Sequence, residues 1–112
     1  MNLRKARRAD VQYPVAFSGD RLTGSGLVYN VSTEGCAIRS ESNLQKNIYL
    51  TLQIELLGQA APLGVDMAVV EWAHGSEFGV RFVSIQDAEM SRLRNTLGVL
   101  ERIAGTTGTG SS

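Results

Sequence analysis

The run Asn47–Leu57 limits what this chain can become more than any other stretch, because Ile48, Leu50, Leu52, Ile54 and Leu56 recur at every second position. A period of two puts all five on one face of an extended strand, whereas a helix would scatter them around its axis. A strand with one apolar face needs partners for its backbone and a core for that face. The rest of the chain supplies both. Val11, Tyr13, Val15 and Phe17 alternate in the same way, with Pro14 predicting an edge strand or a bulge. Ser18-Gly19-Asp20 predicts a turn, Gly24–Val31 a second strand, and Cys36-Ala37-Ile38-Arg39 a third. Gly64–Ala73 and Glu77–Val83 follow as strands around the turn His74-Gly75-Ser76.

Six short strands with close connections predict an antiparallel sheet that protects its edges by closing into a barrel. The period then changes. Met90, Leu93, Leu97, Leu100 and Ala104 recur at spacings of three and four, which predicts an amphipathic helix. Packing on the barrel and a dimer seam both use that spacing. Ser84 and Asp87 form a capping-box signal for its start, Gly98 weakens it, and Gly105 predicts its stop. The expected organisation is a basic, flexible arm over 1–10, a mainly β domain with its C-terminal helix over 11–104, and a disordered Gly/Thr/Ser tail over 105–112.

With 112 residues, there is room for one core. Eleven basic and eleven acidic residues leave no net charge, so a general DNA-binding domain is not expected. One cysteine, Cys36, allows no internal disulfide and no cysteine-based metal site, and the single His74 reads as part of a surface turn. No apolar run reaches the length of a membrane span and no secretory leader is visible, so membrane insertion is not expected and a cytoplasmic location is. Catalysis needs a pair or triad of suitable groups, and none is evident among one histidine, one cysteine and scattered carboxylates.

The charge is unevenly placed. Arg4, Lys5, Arg7 and Arg8 all fall within the first eight positions. An arginine fork grips a phosphate, or the O6 and N7 acceptors of guanine, through two hydrogen bonds at once. The same cluster is also what a plain solvated basic tail looks like. The second constellation is Asn30-Val-Ser32-Thr-Glu-Gly35. At a strand end Asn30 and Ser32 share the outer face while Val31 points inward, and Gly35 admits a positive φ or a close backbone approach to a ligand. Asn, Ser and Gly are equally the residues of an ordinary turn.

Together these segments resemble the PilZ family. Arg4 and Arg8 match its RxxxR motif, and Asn30, Ser32 and Gly35 match its (D/N)xSxxG motif, in the right order and at the right separation. Val11–Val15 with Pro14 resembles the family's first strand, and Val70-Glu-Trp72 and Phe78-Gly-Val-Arg-Phe82 resemble later ones. The likeness runs from about Arg4 to Leu100. It implies a six-stranded antiparallel β-barrel of split-barrel type with a C-terminal helix, binding cyclic di-GMP on its exterior and needing no cofactor or metal. It implies that Arg4 and Arg8 contact guanine and phosphate, and that Asn30 meets a guanine edge beside Ser32 and the Gly35 backbone. Arg7 would add a further contact. Asn30 is the neutral option where the family often has Asp.

Trp72 reads as core from its size, with a place beside the bound base as the other reading. Cys36 reads as a small buried side chain. The expected output is a switch in which ligand orders the arm and changes a surface seen by an unidentified protein partner, in motility, biofilm or a related process. Two alternatives remain: a protein-interaction module that binds no nucleotide, and a small barrel for single-stranded nucleic acid, which needs exposed aromatics for stacking.

Overall fold

The computed structural model describes residues 8–111, with side chains described as far as residue 103. Arg4 and Arg7 therefore lie outside the described residues. Six strands follow one another: β1 (Ala9–Gly19), β2 (Leu22–Val31), β3 (Gly35–Arg39), β4 (Tyr49–Ile54), β5 (Leu63–His74) and β6 (Glu77–Ser84). One helix, α1 (Asp87–Ser111), comes after them. The strands close into a barrel in the order β1-β2-β3-β6-β5-β4, every pairing antiparallel. The predicted mainly β, six-stranded barrel with a closing helix is the observed architecture.

The period-two faces decide what goes inside. Leu50, Leu52, Ile54 and Leu56 are buried, as are Tyr13, Val15 and Phe17 across the β1–β4 seam. Phe17 meets Phe78 of β6 edge to face, with ring centroids 5.4 Å apart and planes at 86°. Such a pair adds to area burial because a ring's positive edge meets the other's negative face.

Pro14 finds its place without an edge. The β1–β4 ladder runs only from Val15, and the Pro14 carbonyl accepts from the Glu55 N–H at 2.8 Å. The missing proline N–H thus faces the side where the ladder has already ended, so little is lost. The bulge expected nearby lies between Asp10 and Tyr13. β1 itself starts at Ala9, earlier than the expected Val11, because Ala9 pairs with Val31 and Asp10 with Asn30.

The helix departs from expectation at both ends. Ser84 is the last residue of β6 and does not cap α1, which begins three residues later. Asp87 and Glu89 instead supply negative charge to the positive end of the helix dipole. At the other end α1 continues past Gly105, which costs about 1 kcal/mol in a helix interior but does not forbid one. Leu93 is fully buried and joins the barrel core, and Met90 and Leu97 pack against it. Arg92 ties the first turns down. Its guanidinium donates to the carbonyls of Ala61 at 2.6 Å and Pro62 at 3.0 Å, and to Gln59 Oε1 at 2.8 Å. Farther along, Val99 and Ile103 stand exposed.

Candidate functional site

The pairing of five strands lines up one row of residues across the outer barrel wall. Asp10 on β1 pairs with Asn30 on β2, Asn30 with Ala37 on β3, Ala37 with Gly79 on β6, and Gly79 with Trp72 on β5. Directly paired residues of an antiparallel sheet point to the same side. The neighbouring row, Val31, Cys36, Val80 and Val70, is buried, which fixes the Asn30 row as the outward one. Ala37 and Gly79 give its centre a floor almost without side chains, although both are covered from solvent. The steps from Asn30 to Trp72 span about 14 Å at the usual strand spacing.

Arg8 closes one end of this floor. Its Nη1 donates to Asn30 Oδ1 at 2.7 Å, and Asn30 Nδ2 donates in turn to Asp10 Oδ1 at 3.3 Å. The expected partners Arg8 and Asn30 are thus together, and Arg8 and Asp10 are both exposed. The other end holds Trp72. It is 41% exposed, so the core reading is corrected. Its indole lies over Gly79: a Cβ built there would sit 2.0 Å from Trp72 Nε1. By strand period Trp72 would share the inner face of Val70, two residues earlier, but the β-bulge between Val70 and Trp72 reverses the alternation and turns the indole outward.

Two motif residues are placed differently from the sequence reading. Ser32 is 3% exposed rather than set on an open ledge. Its Oγ accepts from the Glu34 N–H at 3.0 Å and its own N–H donates to the Gly35 carbonyl at 2.9 Å, so it shapes the β2–β3 connection. The Glu34 carbonyl then accepts from the Phe82 N–H at 2.8 Å, fastening that connection to β6. Gly35 is not among the glycines with positive φ, which are Gly58 and Gly75. What needs a glycine there is the neighbouring strand, since a Cβ would lie 2.1 Å from the Val80 carbonyl oxygen.

Charged groups that the motifs do not name surround the floor. Tyr29 Oη donates to Glu77 Oε1 at 2.7 Å, and the Arg39 guanidinium lies 4.5 Å from the Tyr29 ring centroid and 3.6 Å from Glu77. Burial and the Glu77 carboxylate hold the Tyr29 phenol above its ordinary pKa. Arg81 pairs with Glu71 at 2.7 Å. Arg39 and Arg81 are therefore matched by carboxylates, while the described partner of Arg8 is a neutral amide. Asp10 was legible in principle as an acidic group two positions after the motif arginine Arg8.

Beneath the wall, burial pushes the Cys36 thiol from 9.0 up to about 12, against the opposing pull of Arg8. In the unfolded chain the thiol ionises near its ordinary value, so the unfolded state loses its proton first. This contribution to stability is whole below pH 9 and is lost as pH rises toward 12. Tyr13 and Tyr29, whose phenols folding also raises, start from an ordinary value of 10.0, one unit higher. Urea midpoints between pH 8 and pH 10 are therefore expected to fall in the parent and to stay flatter in Cys36→Ala. An equal fall in both would assign the alkaline loss elsewhere.

Among the described residues no group of three or more His, Cys, Asp or Glu is arranged to hold a metal ion. No described helix is long and apolar enough to cross a membrane. A groove of about 620 Å³ opens beside the row, bounded by Arg8, Ala9 and Thr33 on the barrel side and by Leu97, Glu101 and Ile103 on α1.

Comparison with known proteins places the fold. The family model for the PilZ domain matches residues 2–98. The fold is similar to that of the Bacillus subtilis inhibitor of motility MotI/DgrA, with a TM-score of 0.73 and 19% identity over 87% of this chain and 51% of that one. The chain thus spans about half the length of that protein. It is also similar to the PilZ domain of YcgR from Escherichia coli with c-di-GMP, at a TM-score of 0.72 and 16% identity over 96% and 98% of the two chains. The PilZ domain of CeSA from a cellulose-synthesizing bacterium matches at 0.65 and 15% over 83% and 97%. At these identities the likeness is one of fold. No curated protein matches the chain.

Proposed function

The chain belongs to the PilZ domain family, and on that premise we propose that it is a cytoplasmic receptor for cyclic di-GMP that acts by binding rather than by catalysis. The observation that carries this reading is the junction of Arg8 and Asn30 at 2.7 Å, set at one end of a floor of Ala37 and Gly79 with Trp72 at the other. Arg8 offers a fork of donors to guanine acceptors or phosphate. Trp72 offers an exposed face for a base to stack on. Arg4 and Arg7 join Arg8 on the ligand. Ser32 and Gly35 serve by holding the β2–β3 connection and the β3–β6 seam that carry the floor.

The output follows from where Arg8 sits. It borders both the ledge and the groove against α1. A ligand that draws the Arg8 guanidinium onto its guanine or phosphates changes that groove, and with it the surface offered to a protein partner. Control of motility or biofilm formation is the process this suits, in keeping with the inhibitor of motility among its structural relatives.

The test is a titration with cyclic di-GMP followed by amide NMR and by the fluorescence of Trp72, the single tryptophan. Shifts are expected at Arg8, Asn30, Ala37 and Gly79, with a change in Trp72 emission. Arg8→Ala is expected to weaken binding about tenfold or more, as for the loss of a two-bond arginine contact to a base. Unmoved amides in that row at saturating nucleotide would leave a partner-binding module that senses no nucleotide.

A further inference from the structure

We propose that Asp10 is a specificity-determining residue of this site, its carboxylate reading the donor edge of a guanine whose acceptor edge meets Arg8. The inference rests on the receptor reading above and assigns the base selectivity within it.

The argument starts from Asn30, whose amide is used at both ends. Its oxygen accepts from Arg8 Nη1 at 2.7 Å and its nitrogen donates to Asp10 Oδ1 at 3.3 Å. Asn30 therefore acts as a spacer that sets a guanidinium and a carboxylate side by side. Cross-strand pairing fixes the same arrangement in the backbone, because Asp10 and Asn30 are register partners. Both charged groups are exposed, whereas Asn30 between them is half-buried. The result is a donor fork and an acceptor pair on one short stretch of barrel wall.

Guanine carries the complementary pattern. O6 and N7 on one edge accept, and N1–H and the N2 amine on the adjoining edge donate. A carboxylate takes the two donors at once, as an arginine takes the two acceptors. Adenine has an acceptor at N1 and an amine at C6, so it meets both groups with the wrong polarity. Hypoxanthine keeps O6, N7 and N1–H but lacks the N2 amine, and it forfeits one of the bonds to Asp10. The Arg8 contact alone does not tell guanine from hypoxanthine; the Asp10 contact does.

The test measures the affinities of cyclic di-GMP and cyclic di-IMP, the inosine analogue, for the parent and for Asp10→Asn, by calorimetry on the full chain. Asn keeps the shape and one acceptor but replaces the other by a donor. The parent is expected to prefer cyclic di-GMP over cyclic di-IMP by about tenfold, the worth of a hydrogen bond to a charged group. In Asp10→Asn that preference is expected to shrink to about threefold or less, mainly through weaker cyclic di-GMP binding. A variant that keeps the parent preference overturns the inference, whether affinity is unchanged or falls equally for both ligands. The equal fall would make Asp10 a prop for Asn30. A folded parent that binds neither dinucleotide overturns the receptor reading itself, and is told apart because the parent, not the variant, fails.

Discussion

Gly35→Ala is expected to destabilise the domain by about 3 kcal/mol, read as a lower urea midpoint at an unchanged slope. The new methyl would sit 2.1 Å from the Val80 carbonyl oxygen and 3.2 Å from the Arg81 Cα. Both obstacles are backbone, so no side chain can swing aside. Gly35 pairs directly with Arg81, and β3 would have to part from β6 at the seam that also aligns Ala37 with Gly79. The glycine of the second motif is thus required by strand-to-strand approach, not by a left-handed φ. Loss of nucleotide binding in this variant would then report a displaced floor rather than a lost contact. An unchanged midpoint would mean that the seam yields cheaply and that the glycine serves the ligand directly.

Leu93→Ala is expected to cost about as much, roughly 3 kcal/mol, and to lower the melting temperature by more than about 10 °C. Among the described side chains of α1, Leu93 alone is buried outright, at 0% exposure within the barrel core. Met90 and Leu97 flank it but are only partly covered. Removing its branched end leaves a cavity between helix and sheet that the closed barrel cannot collapse to fill. The Arg92 contacts to Ala61, Pro62 and Gln59 would still tether the first turns. The helix should loosen from its far end, so limited proteolysis is expected to cut near Val99 and Ile103 before the barrel opens. A small loss, below about 1 kcal/mol, would show that α1 adds little to the core. The groove beside Arg8 would then be free to reshape without cost to the fold.

The strands and the helix were legible because their apolar periods are local. Leu50, Leu52 and Ile54 announce an inner face whatever lies opposite them, and Leu93 at helical spacing announces a docked helix. Local signals misled where two structures share one signature. Ser84 followed by Asp87 looks like a cap, but β6 keeps Ser84 in its ladder and the helix starts later. Trp72 looks like core by size and by its spacing from Val70, yet the bulge between the two turns it outward over Gly79. Gly35 was singled out for a positive φ or a close approach to ligand, whereas in the fold it is the Val80 carbonyl that leaves no room for a Cβ there. In the candidate site, the motif resemblance named Arg8 and Asn30 as ligand contacts, but neither their hydrogen bond to each other nor the place of Asp10 beside them followed from it.

The amino-acid order by itself determined the number of strands, the inward side of each up to its bulges, and the closing helix, because side-chain alternation and helical spacing are properties of neighbouring residues. Tertiary structure alone decided which outward residues stand together. The ring order β1-β2-β3-β6-β5-β4 sets Asp10, Asn30, Ala37, Gly79 and Trp72 in one line although they come from five strands. That line exists through backbone hydrogen bonds between distant segments. Their register follows from closing a common core, which no single stretch of the chain can specify.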